Sequence, residues 1–201
     1  NVLMLRQTAV DTIDFAFINK KGNELKAVIY ENTSKTPTYI GTISENMTKA
    51  QWNNYFNALS GENAWAFASL TNAWAAGAPN IILQEAAFHG HVCEGTLGGY
   101  SIVQALLTYY SPVNDVDYYD ILGVPGGSDD DAVIYFLDAT PGKIGDVGIN
   151  MRLNGYMGFN TTSTGASENM IGFIRWGATT GTLVITYAEP SDCTGSVSSV
   201  L

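Results

Sequence analysis

A chain of 201 residues and 21.6 kDa with 46% hydrophobic residues can bury one good-sized core, or one domain with a satellite, and does not fit the disordered class. Only 14% of residues are charged, and 19 Asp+Glu against 9 Lys+Arg give a net charge of -10 and a pI near 4.4. That balance excludes nucleic acid as a partner and disfavours anionic membranes, because no basic stripe exists to neutralise phosphates.

No apolar run approaches the roughly 18 residues that span a bilayer, so no transmembrane segment is expected; the longest run, at residues 131–139, is strand-sized. With so few charges the polar surface must be supplied by Ser, Thr, Asn, Gly and Tyr, a composition that suits an extracellular, cell-surface or assembled protein. The chain opens on Asn1 rather than Met, which implies processing or trimming and leaves secretion open. Three N-x-[ST] sequons, at Asn32, Asn46 and Asn160, occur at about the frequency that chance supplies. Cys93 and Cys193 could form one disulfide, which is not a disulfide framework.

In chain order, residues 10–39 read as β-structure. VDTIDFAFI and ELKAVIYE flank the polar turn Lys20-Lys21-Gly22-Asn23, a hairpin signal, and TYIGTI at 38–43 offers a third strand. Residues 1–45 therefore read as an N-terminal β-arm or small sheet. The period then changes. Thr48 is placed to cap a helix over 49–59, whose Trp52, Tyr55, Phe56 and Leu59 would share one apolar face. A second helix is expected over 62–76, its Trp65, Phe67, Leu70 and Trp74 read as core packing, and it stops at Gly77-Ala78-Pro79. A third covers 80–89 and a fourth 96–109, the latter carrying Leu97, Ile102, Leu106 and Leu107 inward. Beyond Pro112 the pattern is strand-like again. ILGVPGG precedes the acids Asp129, Asp130 and Asp131, then AVIYFLDAT and the turn at Pro141-Gly142-Lys143, with further strands expected at 148–160, 170–176 and 182–187. Residues 191–201 form a Ser-rich tail, leaving 46–190 as the main domain.

The chemistry is concentrated at residues 88–100, FHGHVCEGTLGGY. Both histidines of the chain, His89 and His91, and the thiol of Cys93 fall within five residues at alternate positions, which an extended or distorted segment can converge on one borderline metal. The alternatives are a helix-capping histidine beside a hydrogen-bonded one, and a Cys93–Cys193 disulfide that would consume the thiolate. Glu94 could act as a ligand, as a base on a metal-bound water, or simply as a favourable helix start. The acids at 129–131 could bind calcium, but without a known loop spacing they read as a solvated turn. No G-x-S-x-G, dinucleotide fingerprint, P-loop or haem-attachment motif is present.

The run Glu85-Ala86-Ala87-Phe88-His89-Gly90-His91-Val92-Cys93-Glu94-Gly95, followed by Gly99-Tyr100, resembles the helix-HGHxCPG-helix signature of the FmdE family, which takes its name from formylmethanofuran dehydrogenase. Asp131-Ala132-Val133-Ile134 with Thr140-Pro141-Gly142-Lys143 resembles that family's DAIQ and T-x-G-K segment. The resemblance covers about half the chain. It implies an α+β fold with helices packed on a mixed β-sheet, commonly dimeric, holding zinc or another divalent transition metal on His89, His91 and Cys93. Glu94 stands where the signature has proline, Ser128 where a cysteine is often found, and the appended cysteine-rich ribbon is missing. These departures point to a non-catalytic or accessory metal-binding role, cytoplasmic if the chain is a true accessory component of that enzyme. A different class of function, a self-assembling extracellular surface, sheath or filament protein reusing the fold, is suggested by the low charge and the wealth of Tyr and Trp, so a homo-oligomer is expected under either reading.

Overall fold

The computed structural model describes residues 13–22, 24–59, 61–113, 117–124, 127–143, 146–148, 170–177 and 179–187. The chain divides into two compact units, Asn1–Cys93 and Glu94–Leu201.

In the first unit, β1 (Phe15–Lys21), β2 (Glu24–Tyr30) and β3 (Tyr39–Thr42) form an antiparallel sheet in that order. Lys21 pairs with Glu24, so the hairpin turns on two residues, and Gly22 takes the left-handed φ of 62° that a tight hairpin demands. Alternation in β2 turns Leu25, Ala27 and Ile29 to one face, where all three are buried. Three helices follow: α1 (Lys49–Ala58), α2 (Gly61–Ala76) and α3 (Asn80–His89). Thr48 caps α1 in a capping box. Its hydroxyl accepts from the Gln51 N–H at 3.3 Å, and the Gln51 side chain accepts from the Thr48 N–H at 2.8 Å. α2 runs into Gly77, whose φ of 90° ends it.

The core of this unit joins Ala27, Ile29 and Ile43 to Tyr55, Leu59, Ala64 and Ala68. Tyr55 is fully buried, and its hydroxyl donates to the Ala64 carbonyl at 2.7 Å. Burial pushes its phenol far above the ordinary range, with Tyr39 and Glu31 adding to the effect. Tyr55→Phe would remove a second donor from a carbonyl that α2 still pairs along its helix, and a loss of about 0.5–1.5 kcal/mol is expected from denaturant unfolding at unchanged m-value. An unchanged midpoint would show that the bond contributes nothing net. Phe56, expected on the same apolar face, is instead 40% exposed and stacks on Trp52 at 5.7 Å.

In the second unit, α4 (Glu94–Tyr109) precedes β4 (Tyr118–Val124), α5 (Ser128–Leu137), a 3₁₀ turn (Pro141–Lys143), β5 (Asp146–Gly148), β6 (Met170–Trp176) and β7 (Gly181–Tyr187). The sheet order is β5-β4-β6-β7, with β4 parallel to β5 and the other pairs antiparallel, so the sheet is mixed. Val103 and Leu106 of α4 and Val133 of α5 pack against Ile121 of β4. The expected α+β class, helices on a mixed sheet with an N-terminal hairpin, is what the chain adopts.

One expectation is overturned here. The strand-like run AVIYFL and the acids before it are not strand and solvated turn but α5. Asp129, Asp130 and Asp131 occupy its first turn, where acids suit the helix dipole, and the buried Asp130 carboxylate accepts from the Gly127 N–H at 2.6 Å. Tertiary burial of Ala132 and Val133 overrides the strand propensity of the β-branched and aromatic residues. Leu107, expected inward, is exposed on α4. Lys143 pairs with Asp138, which ends α5 in a left-handed conformation. Of the strand expected at 148–160, β5 reaches only Gly148; the remainder, Asn160, Cys193 with its disulfide, and the tail lie outside the described residues. No helix among the described residues is long and apolar enough to cross a membrane.

Burial pushes the Asp129 carboxyl above its ordinary 3.8, while the backbone N–H groups of Asp129 and Asp130 pull it down. The folded state therefore holds this proton more tightly than the unfolded chain. The group favours the fold below pH 3.8 and loses that contribution as pH rises through the folded-state value. As pH rises above 3.8, the urea midpoint of Asp129→Asn is expected to gain on that of the wild type. Two parallel pH curves would sink this reading.

Candidate metal centre

The donor cluster lies in the first unit, on the last turn of α3 and the four residues after it. α3 is anchored through Leu83 and Ala86 against Leu70 of α2, with Ala73 and Trp74 alongside. Ile82, Glu85 and Ala87 are buried on the same helix. Its last residue, His89, stands at the C-terminal end, where the dipole favours a positive charge.

Gly90 then stops the helix. Its N–H donates to the Ala86 carbonyl at 2.8 Å and its φ of 112° is left-handed, a conformation a side chain would strain. The chain is pinned again at Val92, whose N–H donates to the Ser69 hydroxyl at 3.1 Å. Ser69 in turn donates to the Ala66 carbonyl of α2 at 3.2 Å. The Val92 side chain packs on the Leu70, Leu83 and Ala86 cluster. With Val92 turned inward, alternation sends His91 and Cys93 the other way, back toward His89.

One donor atom from each of His89, His91 and Cys93 lies within 4.8 Å of the others. His89 Nε2 is 3.9 Å from Cys93 Sγ, and the two imidazole rings are 4.7 Å apart at 48°. All three side chains are half-buried. In a tetrahedral zinc site, N–Zn bonds of about 2.0–2.1 Å and an S–Zn bond of about 2.3 Å put neighbouring donors roughly 3.3–3.6 Å apart. The His89–Cys93 pair, at 3.9 Å, is near that value, and a pair at the 4.8 Å limit needs to contract by roughly 1.2–1.5 Å, within reach of side-chain rotation. The donor set, two imidazoles and one thiol, suits zinc and its borderline neighbours rather than calcium or magnesium. The residues fit a transition metal.

The structure brings together the three residues singled out from sequence. Glu94 instead opens α4 in the second unit, as an acidic first-turn residue. The acids at 129–131 form no calcium loop but a helix start. Trp65, assigned to the core by its spacing, is 50% exposed and meets His91 edge-on at 6.3 Å and 62°. The motif marks neither Trp65 nor Ser69. Both reach the site from α2, more than twenty residues upstream, and only helical phase along α2 hints that they share a face.

The family model described as "FmdE, Molybdenum formylmethanofuran dehydrogenase operon" matches residues 88–188. This is half of the 201 residues, and it includes all three donors and the whole of α4, β4 and α5. No curated protein and no solved structure matches the chain.

Proposed function

The chain belongs to the FmdE family, and on that premise we propose that it is an accessory metal-binding domain holding zinc, or a divalent metal of similar chemistry, on His89, His91 and Cys93. The observation that carries this reading is the convergence of the three donor atoms within 4.8 Å, in a chain that has no other histidine. When loaded, such a centre would supply Lewis-acid chemistry, held by the three donors that converge among the described residues. What the chain itself contributes is placement. Gly90 allows the reversal, Ser69 fixes the backbone between the second and third donors, and Trp65 walls His91 on one side. Such anchoring holds donor geometry with little loss of freedom on loading.

An accessory or carrier role needs no more than this geometry, whereas catalysis would also need a substrate site that nothing in the motif supplies. Elemental analysis of the purified chain after dialysis against a weak chelator is expected to find close to one equivalent of zinc or a neighbouring transition metal. The double variant His91→Ala/Cys93→Ala is expected to carry none. Equal metal in both proteins, or none in the wild type even after incubation with zinc, would overturn the proposal.

A further inference from the structure

The sheet of the first unit buries one face and leaves the other apolar. Directly opposed residues in an antiparallel pair share a face. The register sets Phe15 opposite Tyr30, and Phe17 opposite Val28, which in turn faces Ile40 across β3. These five side chains therefore stand together on the face opposite Leu25, Ala27 and Ile29. Phe17 and Tyr30 meet edge-to-face at 6.1 Å and 88°. Phe15 is 48% exposed, Phe17 61% and Ile40 71%, with Ile13 at the same end 54% exposed. A chain with so few charges still places large apolar side chains here in the open.

We propose that this outer face is the docking surface for a second copy of the same chain, two such sheets packing face to face about a two-fold axis. Three observations select a second copy. The first is area: the exposed apolar side chains offer about 500 Å² per copy, at the upper end of what a typical monomer leaves open. A polar rim of Lys21, Glu24 and Lys26, exposed on the same face, brings each side to about 800 Å², the size of a standard stable interface.

The second is charge. The chain carries -10 overall, but residues 13–43 hold Lys20, Lys21, Lys26 and Lys35 against Asp14, Glu24 and Glu31, four minus three, or +1. Two copies meeting here avoid the repulsion that the rest of the sequence would impose. The third is self-complementarity. An isologous contact sets a patch against itself, which suits an apolar centre with rim charges of both signs; Glu24 and Lys26 lie 3.9 Å apart on one copy. Stacked sheets would sit about 10 Å apart, with the aromatic side chains filling the gap. The surface lies outside the stretch matched by the family, residues 88–188, and is independent of the metal reading.

Sedimentation of the full 201-residue chain over a concentration range of about a hundredfold tests this. The wild type is expected to pass from one chain of 21.6 kDa to a particle of two. Phe17→Glu and Ile40→Lys, each at an exposed site and checked for unchanged circular dichroism, are expected to raise the midpoint concentration more than about tenfold. Leu183→Glu, at an exposed position on the sheet of the second unit, is expected to leave it unchanged. A wild type that stays a single chain overturns the proposal and leaves the face to another protein or to residues 1–12. So does association that persists in both face variants, or that is lost only with Leu183→Glu.

Discussion

Alanine in place of Cys93 is expected to lower the affinity for zinc by at least about a hundredfold, since loss of groups that merely orient a ligand already costs roughly ten- to a hundredfold. The thiolate is the one soft, charged donor in the cluster, and without it two imidazoles remain. The measurement is a competition titration with a chromophoric chelator. Cobalt provides the second readout, because a thiolate-to-cobalt charge-transfer band requires Cys93 itself. That band is expected in the wild type and in Trp65→Phe, and its presence in Cys93→Ala would remove the cysteine from the site. Affinity is also expected to rise with pH in the wild type, because the thiol must lose its proton and both imidazoles must be neutral to bind.

Two adjacent glycines are expected to respond oppositely to alanine. A Cβ on Gly98 would meet nothing within 4 Å, so Gly98→Ala is expected to stabilise α4 by up to about 1 kcal/mol through helix propensity. A Cβ on Gly99 would come within 2.6 Å of the Asp129 carbonyl and 2.7 Å of Ala132 Cβ. Neither can step aside without moving α5. Gly95, one turn earlier, is pressed the same way, its Cβ position lying 2.7 Å from Ser128 Cβ. The two helices thus touch along a strip that only hydrogen fits. Gly99→Ala is expected to cost about 1–3 kcal/mol net despite its better propensity, and Gly99→Val more. Thermal and denaturant midpoints of Gly98→Ala and Gly99→Ala on opposite sides of the wild type would bear this out; both above it would show that α5 yields freely.

Where a structural signal acts within a few residues, the sequence displays it. The Gly22-Asn23 turn, the Thr48 cap and the stop at Gly77-Ala78-Pro79 are all of this kind, and β1, β2, α1 and α2 begin and end close to them. α3 ends at His89 as expected. Residues 131–139 show the opposite case, because three acids ahead of an apolar run are also a helix-start signature, and the strand propensity of AVIYFL masks it. In the folded chain, burial against α4 and the sheet decides the matter. The site divides in the same way. His89, His91 and Cys93 stand out because such side chains are scarce here, whereas Ser69 and Trp65 are common residue types placed by packing of α2 on α3. The close contact of Gly95 and Gly99 with α5 is likewise a distance between segments some thirty residues apart, which no local pattern encodes.

The unit boundary falls between Cys93 and Glu94, and all three donors lie on its N-terminal side. Any ligand that binds only the folded form raises the unfolding free energy of the block that holds it. At about a hundred times the dissociation constant this amounts to about 2.7 kcal/mol. Loading the centre is therefore expected to raise the unfolding free energy of the fold that holds His89, His91 and Cys93. Calorimetric scans with and without zinc are expected to show an unfolding transition that climbs with free metal concentration, and a transition that stays in place at saturating zinc would overturn this.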